Sequence, residues 1–219
     1  MTQAIQQSLR DKAWARWTVL ILIALTMFFA YMFVDVLSPL KSMLEKTAEE
    51  GGLGWSSTVF GTYGSSEFFL NVFVGFLILA GIILDRMGVR FTALLSGSLM
   101  VIGALLKVYA LSATFKNGGL GYDAMNSFSG FLKDLAGWNL PPTALCASLG
   151  FMLFGCGTEM AGVTVSRAIV KWFKGKEMAL AMGIEMAVAR FGVFSIFRLS
   201  PKIASEWGSV QAPVIFCAA

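Results

Sequence analysis

Histidine is absent from the 219 residues of the chain. That excludes His-based catalytic triads, HExxH zinc sites and histidine proton relays. Charge is scarce as well. Asp, Glu, Lys and Arg make up 14% of the chain and hydrophobic residues 57%, where a soluble domain carries roughly 25% charged residues. This composition argues against a water-soluble enzyme, a nucleic-acid-binding module and a disordered tail. The three cysteines, Cys146, Cys156 and Cys217, lie in apolar runs with no CxxC spacing, and they read as small packing residues. No Asn-x-Ser/Thr sequon occurs, and the first apolar run is too long, and lacks the small-residue cleavage site, for a removable signal peptide. The net charge of +4 points to basic loops on the cytoplasmic side of a membrane rather than to nucleic acid.

What the chain does have is long uncharged runs. Residues 17–34 carry no charge and extend to about residue 40, enough at ~1.5 Å per residue to cross about 30 Å of hydrocarbon. Further spans are expected at about 57–84, 91–111, 143–170 and 178–199, and a sixth opens near 209 and stops at 219. Eleven helical residues reach only ~16 Å, so the sixth helix reads as truncated and the chain as a fragment. The expected division is a cytoplasmic N-terminal segment, 1–16, and a transmembrane bundle, 17–219. Between the first two spans lies a polar stretch with Glu45, Glu49 and Glu50 and the turn Gly51-Gly52-Leu53-Gly54. Residues 115–139 read as a long loop whose Phe128, Phe131 and Trp138 lie at the membrane interface, and Pro141-Pro142 opens the next helix.

Lysine and arginine set the orientation. With the N-terminus inside, the cytoplasmic side holds Arg10, Lys12, Arg16, Arg86, Arg90, Arg167, Lys171, Lys174 and Lys176, and the opposite side holds Lys41, Lys46, Lys116, Lys133 and Lys202. Lys107, Arg190 and Arg198 fall in or at the edge of spans. The bias obeys the positive-inside rule, and Trp14 and Trp17 sit where an interfacial aromatic belt belongs. Small residues recur in the spans (Gly150, Gly155, Gly157, Gly162, Gly183, Ala187, Ala189), as close helix packing in lipid requires. The run lengths and the lack of period-2 alternation exclude a β-barrel.

Five charges are expected at mid-bilayer: Asp35, Glu67, Glu159, Glu185 and Arg190. Each costs about 2.5–3.5 kcal/mol at mid-bilayer even on a lenient scale, so such residues face a cavity or a partner. Met27, Tyr31 and Asp35 share one helix face, as do Tyr63, Glu67 and Asn71; Gly183, Ala187, Arg190 and Phe194 form a stripe on the fifth span. Glu185 is expected about 140° away from Arg190 around that helix. Glu159 lies 12 residues before Lys171 and Arg190 13 residues after Glu177, which puts them about 18 and 20 Å from the same membrane face. A carboxylate and a guanidinium at equal depth suit a zwitterion, the first taking an ammonium and the second a carboxylate. The competing arrangement is a direct Glu159–Arg190 ion pair.

The loop after the second span reads Gly81-Ile-Ile-Leu-Asp85-Arg86-Met-Gly88-Val-Arg90. Gly88 permits a tight turn, Asp85 can cap a helix or pair with an arginine, and Arg86 and Arg90 hold the loop inside. This Gly-x-x-x-Asp-Arg-x-Gly-x-Arg stretch resembles the signature loop of the major facilitator superfamily. The resemblance implies two six-helix halves with the substrate between them and alternating access. This chain then corresponds to the N-terminal half, an all-α six-helix membrane bundle whose partner is the missing C-terminal half. The loop departs from the pattern at Val89, where a basic residue is common. The fourth span reads Phe151-Met-Leu-Phe-Gly155 where many proton-coupled members have Arg-x-x-x-Gly.

A narrower likeness covers 157–192: Gly157-Thr-Glu159, Trp172-Phe-Lys-Gly-Lys-Glu177 and Met186-Ala-Val-Ala-Arg190-Phe-Gly192, with Asp35 and Pro39 in the first span. It resembles the lysosomal dipeptide uniporter-like branch of that superfamily, with a bulkier and more basic Phe194-Ser-Ile-Phe197-Arg198. The resemblance implies that Glu159 and Arg190 contact the amino and carboxyl ends of a peptide, while the loop with Lys174, Gly175 and Lys176 acts in gating together with Gly81, Asp85, Arg86, Gly88 and Arg90. Tyr31, Asp35, Tyr63, Glu67 and Asn71 complete the candidate substrate-binding set. The expected function is a non-enzymatic secondary transporter of short peptides or similar zwitterions, with neither cofactor nor metal, in the cell (inner) membrane. An organic or inorganic anion held by Arg190 is the alternative substrate, and a non-transporting half-bundle or assembly partner is the alternative of another class.

Overall fold

The computed structural model describes residues 11–47, 50 and 52–219; Arg10, Glu49 and Gly51 of the expectations above lie outside them. Among the described residues the regular structure is helical: α1 (Ala13–Val34), a short 3-10 turn (Ser38–Leu40), α2 (Lys41–Leu44), α3 (Ser57–Phe73), α4 (Phe76–Ala110), α5 (Ala113–Lys116), α6 (Tyr122–Ala136), α7 (Pro142–Phe173), α8 (Met178–Trp207) and α9 (Ala212–Ala218). Four stretches are long and apolar enough to cross a membrane: Ala13–Leu44, Phe76–Ala110, Pro142–Phe173 and Met178–Trp207.

The direction of each helix can be read from its contacts with α7. Trp55 donates to the Thr143 hydroxyl (3.1 Å) and Tyr63 stacks on Phe151 (4.8 Å), so α3 runs parallel to α7. Ser96 donates to the Gly157 carbonyl (3.0 Å) and Gly103 abuts Gly150, so the later part of α4 runs antiparallel to α7. The reversal is made at Gly88, the residue inside α4 that leaves helical geometry (φ 79, ψ 170). That region of backbone space is essentially closed to residues with a Cβ. Gly88→Ala should therefore lower stability by about 2 kcal/mol. A thermal melt in detergent checks this, with Val89→Ala expected to melt like the parent.

Helix α1 packs along α8 in parallel: Gly192 lies against the Phe28 backbone and Ser200 donates to the Val36 carbonyl (2.6 Å). At the start of α1, Trp17 meets Phe173 edge-on (5.7 Å), Arg16 pairs with Glu177 (3.7 Å) and Lys176 with Asp11 (3.1 Å). Arg167 pairs with Asp85 (3.1 Å) at the same end. One end of the bundle thus gathers the basic loops. Helix α7 is the centre; it is the most buried of the four long spans, because α3, α4 and α1 all pack on it.

Several boundaries differ from the sequence reading. α1 stops at Val34, and Asp35 caps its C-terminus. The second span is interrupted at Val74 and Gly75, the latter at φ 70, between α3 and α4. α8 runs through Pro201 to Trp207 instead of stopping near 199. The stretch read as a loop at 115–139 contains α6, whose Tyr122, Met125 and Leu132 pack on the core while Phe128, Phe131 and Trp138 remain exposed. Its polar residues hid an amphipathic helix, whose apolar face is too short and interrupted to stand out as a span.

Candidate functional site

The break after α1 is where the site begins. Beyond Val34 the chain turns, and Ser38 donates to the Asp35 carboxylate (3.0 Å). That places Asp35 and Ser38 on the wall of a cavity of about 420 Å³ shared by α1, α3, α7 and α8. Tyr31, Tyr63, Glu67, Glu159 and Arg190 line the same cavity, together with Phe60, Gly64, Phe68, Phe151 and Thr158. The volume falls within the range of small-molecule sites, ~300–1,000 Å³.

Six of the seven expected substrate-binding residues are thus brought together. Asn71 is not: it is buried one turn past Glu67, donates to the Glu67 carbonyl (3.2 Å) and leaves its own side-chain oxygen without a hydrogen-bond partner. The face that the wheel assigned to Tyr63, Glu67 and Asn71 holds for its first two members.

Glu159 and Arg190 face one space without joining. Among the described residues no ion pair within 4.0 Å links them. Arg190 is exposed and its guanidinium lies 5.2 Å from the centre of the Tyr31 ring, a cation–π contact that orients the fork without consuming its donors. The whole stripe of Gly183, Ala187, Arg190 and Phe194 is exposed, which leaves this side of the site open. Glu67, by contrast, is 7% exposed, and its backbone presses on Gly155 so closely that a Cβ there would lie 2.5 Å from the Glu67 carbonyl.

A smaller cavity of about 180 Å³ continues past Arg190 and is lined by Met27, Tyr31, Gly162, Ser166, Glu185, Met186, Ala189 and Arg190. Glu185 therefore shares a space with Arg190 despite its position around the helix. The two line this space from different positions around α8.

Lys107 is the residue that sequence reasoning passed over. It sits in the last turn of α4, fully buried. Its ammonium donates to the Phe33 carbonyl (3.3 Å) and is ringed by Phe33, Tyr63 and Phe151, with centroids at 4.6, 5.4 and 4.5 Å. Tyr63 and Phe151 are also walls of the large cavity, so the ammonium lies one ring's thickness behind it. Its signal was a lone lysine in an otherwise uncharged run, 91–111.

The expected gating residues lie elsewhere. Asp85, Arg86, Arg90, Lys174, Gly175 and Lys176 are exposed, and Gly81 and Gly88 are half-buried. Gly175 takes φ 75 in the turn between α7 and α8, where Lys176 donates its N–H to the Phe173 carbonyl (2.9 Å). The described residues contain no cluster suited to a metal ion. The three cysteines are free, with Cys146 and Cys156 buried.

Comparison with known proteins gives a limited result. The chain is 26% identical over 178 residues to the lysosomal dipeptide transporter MFSD1 of Pongo abelii, a match covering 81% of this chain and 31% of that protein. The proteins of the same name from Mus musculus and Bos taurus are 43% identical over 44 residues, 20% of this chain and 10% and 9% of theirs. The chain thus aligns with less than a third of the length of these relatives. No family model matches it, and no solved structure does. The similarity, the apolar helices and the polar cavity together describe a helical membrane protein akin to a membrane transporter.

Proposed function

We propose that the bundle is the N-terminal half of a secondary transporter of the major facilitator kind, with six membrane passes. It takes a short peptide or similar zwitterion between Glu159 and Arg190 and moves it by alternating access. The observation that carries this reading is that the two oppositely charged groups line one cavity and do not neutralise each other. Leaving both unpaired in lipid is costly, and a bound zwitterion satisfies both at once. Glu159 takes the ammonium and the guanidinium of Arg190 takes the carboxylate. A second half-bundle closes the exposed side that carries Arg190 and Phe194. The basic end faces the cytoplasm of the cell (inner) membrane, in keeping with the positive-inside rule.

The loops at the basic end fit reversible motion. The Arg167–Asp85 pair is more than half exposed on both sides, so breaking it costs little, ~0–1 kcal/mol. In this reading the signature loop around Gly88 and the Lys174–Lys176 turn rearrange as one half rocks against the other. A solute with only negative charge, held by Arg190, is a poorer fit, since Asp35, Glu67 and Glu159 line the same cavity.

Binding tests the reading. Purified protein is melted with Ala-Ala, with N-acetyl-Ala-Ala and with Ala-Ala amide. At about a hundredfold excess over Kd the free dipeptide is expected to raise Tm by about 5 °C, and each capped form to raise it far less. Equal shifts with all three overturn the zwitterion assignment. Binding of monocarboxylates but not dipeptides favours the anion reading, and no response to any solute favours a non-transporting bundle.

A further inference from the structure

We propose that Lys107 is a specificity-determining residue of the cavity. Its buried ammonium is a fixed counter-charge behind the aromatic wall, and it sets the net charge of the solute that the site accepts. This rests on the reading of the cavity as a solute site.

The cavity walls carry three carboxylates, Asp35, Glu67 and Glu159, against one guanidinium, Arg190. Left so, the site would hold two negative charges in excess and would favour cations over zwitterions. Lys107 offsets one of the two without occupying the cavity and leaves a single negative charge in excess. It does not line the space, and it is 0% exposed. Its surroundings are built for an ammonium: three aromatic faces and one helix-terminal carbonyl. The Phe33 carbonyl also accepts from the Val36 N–H (3.4 Å) at the break of α1, where the helix dipole concentrates negative potential. Asp35 and Glu67 are both within electrostatic reach of Lys107. The side chain thus ties the end of α4 to the break of α1 and to the rings of α3 and α7 that face the solute. In a medium of low dielectric, a unit charge at this remove acts strongly on anything in the cavity.

A reporter that needs no substrate tests the potential directly. Gly64 lines the cavity and a Cβ there meets nothing within 4 Å, so Gly64→Cys introduces a thiol facing the solute space. Its rates with a cationic and an anionic methanethiosulfonate are measured in the otherwise unchanged protein, in Lys107→Met and in Lys107→Arg, after subtracting the rates of the parent without the new cysteine. Lys107→Met is expected to raise the cation-to-anion rate ratio about tenfold or more, and Lys107→Arg to leave it within about twofold. If Lys107→Met does not fold, Lys107→Met with Glu67→Gln removes both members of the opposed pair, and its ratio should lie near that of the parent. In parallel, binding of Lys-Ala and of Ala-Ala is compared, and Lys107→Met should move the preference about tenfold toward Lys-Ala.

An unchanged thiol ratio in folded Lys107→Met overturns the proposal. A changed thiol ratio in a protein that binds no dipeptide upholds the counter-charge and removes the peptide reading instead. A changed thiol ratio with an unchanged dipeptide preference overturns the specificity role.

Discussion

Arg190→Glu is expected to abolish uptake of dipeptides, a loss of at least a hundredfold, while the protein remains folded. The substitution puts a fourth carboxylate into a cavity that already holds Asp35, Glu67 and Glu159. It removes the group that takes the solute's carboxylate and repels that carboxylate as well. Truncating one partner of a desolvated charge pair costs about 3–5 kcal/mol, which is about two to four orders of magnitude in affinity. Folding should survive because Arg190 is exposed and has no ion pair in the bundle to lose. The remaining contact, over the ring of Tyr31, is worth about 0.5–1 kcal/mol at an exposed site. Arg190→Lys keeps the charge but not the two-pronged geometry, and should retain uptake at a reduced level. The measurement is uptake of a labelled dipeptide by proteoliposomes containing the bundle joined to its second half, with gel filtration to establish folding. Uptake within threefold of the parent in a folded Arg190→Glu protein removes the site assignment, and Glu159→Arg provides the reciprocal test.

The second large effect is on stability. Gly150→Val should prevent the bundle from assembling. A Cβ on Gly150 would lie 2.8 Å from the Gly103 carbonyl and from the Lys107 backbone nitrogen, and valine adds two methyls beyond it. The clash is with backbone, so no side chain can turn aside, and α4 and α7 must separate. In lipid that contact has no hydrophobic driving force to replace it, because helix association there rests on close packing. The expected loss is about 3 kcal/mol or more, and it also shifts the turn of α4 that holds Lys107 against the cavity wall. Gly97→Val is the control, since a Cβ at Gly97 meets nothing within 4 Å. Thermal melting and detergent gel filtration distinguish the two. A Gly150→Val protein that melts within 2 °C of the parent would show that the α4–α7 contact has slack.

Particular residues show what could be read in advance. The equal depth of Glu159 and Arg190 followed from counting residues at a constant rise per residue, which a helix in lipid obeys closely. Tyr31 with Asp35, and Tyr63 with Glu67, were legible as shared faces for the same reason. Glu185 and Asn71 were not. A helical wheel fixes an angle around one axis, but a cavity has a shape set by several helices: the large one ends before Asn71, and the smaller one beside it takes in Glu185. Helix α6 was hidden by its polar residues, and its Tyr122, Met125 and Leu132 gain their stabilisation from a core that other segments build. Lys107 was visible only as an isolated charge near a helix end. Its aromatic surroundings come from Phe33, Tyr63 and Phe151, on three other helices.

The amino-acid sequence by itself determined the helical class, the long apolar stretches and the reversal at Gly88. These are local properties: apolar length, the demand that each backbone polar group find a partner within its own segment, and the one residue able to take φ 79. The tertiary structure alone decided which charges share a cavity, which stand apart, and that a lysine lies behind the wall. Those depend on how far each helix is rotated about its axis, and that rotation is set by close contacts such as Gly103 with Gly150 and Gly192 with Phe28, between residues far apart along the chain.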